Sequence, residues 1–182
     1  MTKTVFLIGF PGCGKTTLGR ELARQTGWPL IDLDEWIERQ QGKSIKQLYG
    51  EMGEERFREV EREALQQVSL AGRVVACGGG TPCQPGAMAW MNAHGLTVWL
   101  TASAERLVAR LCLPEHRAKR PQIASLTDEQ IACYVHTKMA ERAPHYALAQ
   151  LQFDATEIET AQETEITARR LARLIEQNLS SL

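Results

Sequence analysis

Gly9-Phe10-Pro11-Gly12-Cys13-Gly14-Lys15-Thr16 satisfies G-x-x-x-x-G-K-[S/T], with the apolar run Thr4–Ile8 before it and a helical period after it. The type of residue at each position has a physical reason. Gly12 and Gly14 let the backbone curl so that successive N–H groups converge on phosphate oxygens, and the helix opening at Lys15 adds its positive dipole end. Lys15 supplies a cation to a β/γ-phosphate pair, and the Thr16 hydroxyl can ligate Mg²⁺. A glycine-rich turn with a chance Lys-Thr is the competing reading, and the strand–loop–helix setting argues against it. Cys13 lies beside the helix N-terminus, where a thiol can have a lowered pKa and react with alkylating reagents; a small filler residue is the alternative.

Outward from this loop, short apolar runs alternate with longer helical segments, the pattern of βαβ units around a mostly parallel sheet. The runs Thr4–Ile8, Leu30–Asp32, Arg73–Ala76, Thr97–Leu100 and Leu151–Phe153 are the expected strands. Leu18 and Leu22 lie one turn apart on the first helix, which Gly27 closes. Ser44 and Thr127 are expected N-caps, Thr127 with Gln130 as a capping box, and Pro144 is expected to stop the helix that Thr127 begins. Leu171, Leu174, Ile175 and Leu179 form one apolar stripe at the C-terminus.

The 182 residues fit one domain, 1–182, that buries roughly 70% of its unfolded surface. A net charge of −1 provides no general basic field, so nucleic acid is not an expected partner and any anion must be held by local cations. No apolar run approaches the roughly 18 residues of a membrane span, and the N-terminus does not resemble a signal peptide. Five cysteines, an odd number without a C-x-x-C pair, read as free thiols. These features lead us to expect a cytoplasmic protein.

Further residues cluster around phosphate chemistry. Asp32 and Asp34 follow the second strand, and a side-chain period of two would send both carboxylates to one side, at the ligand-binding end of a parallel sheet. One could order a Mg²⁺ shell and the other meet a phosphoryl acceptor; the plainer alternative has Asp34 capping the following helix. Gly78-Gly79-Gly80 marks either a flexible turn or a close approach of backbone to ligand. The strand before it does not end in aspartate, so the acidic metal partner falls to Asp32. Leu113–Pro121 carries three formal cations in nine residues, Arg117, Lys119 and Arg120, a composition suited to a basic lid or to a solvated loop. On the helix Glu54–Leu70, Phe57, Val60, Ala64 and Val68 form an apolar face. Beside it Arg58 either leans over the site or pairs on the surface with Glu61. Arg142, near a helix end that favours cations anyway, carries the same ambiguity.

Taken in order, the phosphate loop, the D-x-D pair, F-R with a nearby Glu, the G-G-G strand end, the R-P lid and the R-A-P-x-Y helix end resemble a shikimate kinase, from about Phe6 to Asp154. The resemblance implies a three-layer α/β/α P-loop kinase fold, a five-stranded parallel sheet in the nucleoside monophosphate kinase style. It implies a mobile lid at about 113–126 and a substrate-binding helical segment at about 33–62. The implied reaction moves the ATP γ-phosphate to the 3-hydroxyl of shikimate, in aromatic amino acid (chorismate) biosynthesis, with Mg²⁺ as cofactor; a monomer is the expected state, which the sequence itself does not reveal. Gly12, Cys13, Gly14, Lys15, Thr16 and Thr17 would hold ATP, with Arg110 near the adenine. Thr16 and Asp32, the latter through water, would hold the metal. Asp34, Arg58, Gly79 and Arg142 would bind shikimate, the two arginines meeting its carboxylate. Asp34, Lys15 and Arg120 would be catalytic.

Three departures stand out. Cys13 fills a position where the family commonly has Ser or Ala; two extra cations precede Arg120, leaving open whether it or Arg117 caps the phosphates; and the residues after Asp154 lack a basic group used by some relatives near adenine. The rival readings are another small-metabolite kinase, such as a gluconate kinase, and a nucleotide-dependent switch. The switch is disfavoured by the lack of N-K-x-D and D-x-x-G signatures.

Overall fold

Thr4–Ile8 (β1) is apolar without alternation, and Val5, Phe6, Leu7 and Ile8 are all fully buried, as expected for a central strand covered by helices on both faces. The computed structural model describes residues 3–68, 72–118, 120 and 122–179. β1 pairs in parallel with β3 (Val74–Ala76) on one side and β4 (Gly95–Thr101) on the other. β2 (Leu30–Asp32) extends the sheet beyond β3, and β5 (Leu151–Asp154) beyond β4, giving the order β2-β3-β1-β4-β5. The chain leaves β1 through α1 (Lys15–Thr26), skips one position to β2, fills the gap with β3, and then crosses to the far side of β1 as β4. That reversal opens a crevice at the carboxyl ends of the strands, where the loops after β1, β2 and β3 meet.

Local chemistry sets the helix limits. Gly14 precedes α1 at φ 98°, and Gly27 closes it at φ 71° with its N–H donating to the Ala23 carbonyl. After α2 (Leu33–Gln41), the Ser44 amide donates to Gln47 Oε1 at 2.9 Å and opens α3 (Ile45–Val68), which breaks at Gly53 with φ 76° and ψ 173°. The expected helix Glu54–Leu70 is the second half of α3; Leu70 lies outside the described residues. A single 3₁₀ turn, Thr81–Cys83, and α4 (Ala87–His94) lead into β4.

Ser103 caps α5 (Ala104–Cys112) by accepting from the Arg106 amide. The expected lid is partly helical, holding α6 (Pro114–Ala118); Lys119 and Pro121 lie outside the described residues. Thr127 and Gln130 form the expected capping box at the head of α7 (Asp128–Tyr146). Pro144 does not stop this helix. It removes one N–H donor, but the chain stays helical to Tyr146, and the Ala147 amide closes the end on the Ala143 carbonyl. On α8 (Ala161–Leu179), Leu171 and Ile175 are fully buried, with Leu174 and Leu179 packed against the core. Among the described residues no helix is long and apolar enough to cross a membrane, and all five cysteines are free thiols.

Candidate active site

A cleft of about 740 Å³ runs along the carboxyl edge of the sheet. Gly12, Gly14, Lys15, Thr16, Thr17, Asp32, Asp34, Arg58, Gly79, Arg110, Arg120 and Arg142 all line it. Cys13 does not. Its side chain is buried beneath the loop, and its amide donates to the Phe10 carbonyl at 3.1 Å, so the geometry fits a filler residue better than an open thiol. The Lys15 ammonium donates to the carbonyls of Gly9 at 2.8 Å and Phe10 at 3.0 Å, which holds its charge at the mouth of the loop.

Asp32 and Asp34 share the cleft, but not through strand alternation. β2 ends at Asp32, whose Oδ1 accepts from the Glu35 amide at 3.2 Å as the N-cap of α2; Asp34 stands in that helix's first turn. The cap role weighed for Asp34 therefore falls to Asp32, because its side chain alone leaves the chain at the right point to meet the amide three residues on. The other oxygen of Asp32 accepts from the Thr16 hydroxyl at 2.5 Å. The Asp34 pKa is raised from 3.8 to about 7. The largest cause is the surrounding protein, which limits hydration of the carboxyl; the charges of Glu61 and Asp32 add to it, and Lys15 and Arg120 oppose it. Water still reaches the group from the cleft, so these charge effects are partly screened.

Glu61 was legible in the sequence only as a surface partner for Arg58. It is buried, with 1% exposure, and accepts from Arg58 Nη1 at 2.7 Å, Gln84 Nε2 at 2.7 Å and the Thr81 hydroxyl. Buried carboxylates need such partners. The Arg58 guanidinium also bonds Glu54 and lies 5.7 Å from the Tyr49 ring centre. A Cβ on Gly80 would fall 2.6 Å from Arg58 Nη1, so a larger residue there would push the guanidinium from its present place. Arg142 approaches from α7, its guanidinium 5.5 Å from the centre of the Phe10 ring on the phosphate loop.

The two arginines of the expected lid part company. Arg120 donates to the His116 carbonyl at 2.7 Å and turns into the cleft; burial lowers its pKa, and the field of Asp34 opposes that. Arg117 is paired with Asp128 on α7 and does not line the cleft. Arg110 donates to the carbonyls of Gly12 at 3.0 Å and Thr156 at 2.8 Å and to Glu159 Oε1 at 2.8 Å. It thereby ties the phosphate loop to the segment after β5, where Ile158 covers Gly14 closely enough that a Cβ there would meet it at 2.3 Å.

Among the described residues no group of three or more His, Cys, Asp or Glu could hold a metal ion. The Thr16–Asp32 oxygen pair nonetheless suits Mg²⁺, which keeps several waters and takes its remaining ligands from substrate phosphates.

A family model described as shikimate kinase matches residues 11–175. The chain belongs to the shikimate kinase family. It is 38% identical over 174 residues to the shikimate kinase of Parabacteroides distasonis, covering 95% of this chain and 99% of that one. With shikimate kinase 2 of Dickeya chrysanthemi it shares 39% over 158 residues, 86% of this chain and 90% of the relative. The crystal structure of the Bacteroides thetaiotaomicron shikimate kinase superposes with a TM-score of 0.91 at 37% identity, covering 97% of this chain and 99% of the other. The Acinetobacter baumannii shikimate kinase in complex with shikimate gives 0.81 at 29% identity, over 98% and 95% of the two chains. A gluconokinase from Sinorhizobium meliloti, at 16% identity and TM-score 0.54 over 97% of each chain, shares only the fold.

Proposed function

We propose that the chain transfers the γ-phosphoryl group of ATP to the 3-hydroxyl of shikimate, giving shikimate 3-phosphate and ADP. The observation that carries this reading is the convergence of Arg58, Arg142 and Asp34 opposite Lys15 in one cleft. Two guanidinium groups suit a carboxylate, and a carboxyl whose pKa lies near the working pH suits a general base. Asp34 takes the proton of the acceptor hydroxyl as its oxygen bonds to the γ-phosphorus. The bond from that phosphorus to the β–γ bridging oxygen breaks, and ADP leaves. Lys15 and Arg120 offset charge on the moving group in a site preorganised by the loop and lid. The Thr16 hydroxyl would hold Mg²⁺, with Asp32 ordering its shell, and the ion would offset phosphate charge when bound.

In this reading residues 1–182 act as one kinase domain. The lid at about 113–126 closes over ATP, and the segment at about 33–62 shapes the acceptor side. Every residue invoked comes from one chain, which suits a monomer, and the free thiols suit the reducing cytoplasm. A coupled ADP-release assay with shikimate, gluconate or no acceptor tests the proposal. Shikimate-dependent turnover is expected. Preference for gluconate, or hydrolysis independent of acceptor, would overturn the reading.

A further inference from the structure

Tyr146 ends α7 with its side chain 2% exposed, and its hydroxyl donates to the Gly79 carbonyl at 2.6 Å. The phenol ring leans on Trp99 of β4, 5.9 Å between ring centres, so the donor is fixed to the sheet as well as to its helix. On its other side Gly79 rests on the phosphate loop: a Cβ there would meet Pro11 Cδ at 2.7 Å and Cγ at 2.8 Å. Gly79 is thus clamped between Tyr146 and Pro11. Arg142, one turn before Tyr146 on α7, reaches the same phosphate loop over Phe10. The last turn of α7, which continues through Pro144, therefore fixes two parts of the acceptor side against the donor loop.

We propose that Tyr146 is a positioning residue, whose hydroxyl holds the Gly78–Gly80 turn in register with the phosphate loop and so sets the approach of the acceptor hydroxyl to the γ-phosphate. The inference rests on the shikimate reading above. Its physical basis is that in-line transfer tolerates little displacement: a shift on the order of 1 Å can cost about a hundredfold in rate. Removing the hydroxyl leaves the Gly79 carbonyl without this donor and frees the turn, while the nucleotide contacts made by Gly12, Gly14 and Lys15 stay as they are.

The test is Tyr146→Phe, which deletes a single oxygen, assayed beside wild type with both substrates varied. The expected result is a drop of about tenfold or more in kcat/KM for shikimate, with KM for ATP within about twofold of wild type. The double variant Y146F/G79A should be no worse than the poorer single, since both changes act on the same turn. Trp99→Phe, which loosens the ring but keeps the hydroxyl, should lower Tm without the selective loss on shikimate. Unchanged shikimate kinetics in folded Y146F, an equal loss toward both substrates, or a Y146F chain that fails to fold would each overturn the proposal. Wild type inactive on shikimate would instead overturn the functional reading beneath it.

Discussion

At Asp34 chemistry and stability pull in opposite directions. The folded chain holds this proton up to about pH 7, whereas the unfolded chain releases it near 3.8. Across that window the folded state binds more protons, so the contribution of Asp34 to stability declines as pH rises through it. Asp34→Asn should therefore raise Tm at pH 7.5 by roughly 1–3 °C after allowing for water in the cleft, and by roughly half that or less at pH 5, where only the lower part of the window has been crossed. Turnover should fall by about a hundredfold or more. A Tm gain of the same size at both pH values would remove the electrostatic account, and wild-type turnover would remove Asp34 as base. Glu61 couples to the same group. Glu61→Gln weakens the charge-assisted hold on Arg58, so KM for shikimate should rise by about tenfold while KM for ATP stays level. Because Glu61 is one of the charges raising Asp34, the acid limb of kcat/KM should also move to lower pH in this variant; an unmoved limb would count against the coupling. Asp34 could be singled out from the D-x-D spacing, whereas Glu61 reads in sequence only as a glutamate one turn from Arg58, with nothing to show that it is buried. Its burial depends on Thr81 and Gln84, about twenty positions away.

The elements that matter most are α6, which lies within the proposed lid, and α7, which follows it. Two arginines three positions apart read alike in sequence. α6 and the turn after it separate them, sending Arg120 into the cleft and Arg117 onto Asp128 at the head of α7. Arg120→Ala should lower kcat by about 10²–10³-fold, as expected for losing a preorganised donor to developing charge. Arg117→Ala should change kcat by less than about threefold, and steady-state kinetics giving the reverse order would reassign the lid. The α7 cap supports this geometry from its other end. Thr127→Ala should cost about 1 kcal/mol, or roughly 2–4 °C in Tm, with shikimate and ATP KM values near wild type. Cap chemistry was legible because it is local: Thr127 and Gln130 are three residues apart. The continuation past Pro144 was not, since the proline rule counts one lost hydrogen bond, while the packing of Tyr146 against Trp99 and its bond to Gly79 lie in tertiary structure.

For the whole molecule, substrate and nucleotide must bind between parts far apart in the chain, so binding should stabilise the fold cooperatively. Shikimate at about 100 times its Kd should add about 2.7 kcal/mol, or roughly 5–10 °C in Tm, and gluconate at equal concentration little. Chelation by EDTA should stop turnover yet leave the Tm of the ligand-free protein unchanged, because Thr16 and Asp32 alone make no metal cage; a large fall in Tm would indicate a structural metal. The sequence by itself determined the order of strands and helices, the phosphate loop, the helix caps and the set of polar residues worth watching. All of these rest on spacings of a few residues, where backbone geometry is nearly fixed by φ and ψ preferences. Only the tertiary structure decided that β3 lies between β1 and β2, that Asp32 rather than Asp34 caps α2, that Glu61 is buried and that Arg120 rather than Arg117 enters the cleft. Those outcomes depend on which surfaces exclude water together, a property of residues brought close by the fold and not of their separation along the chain.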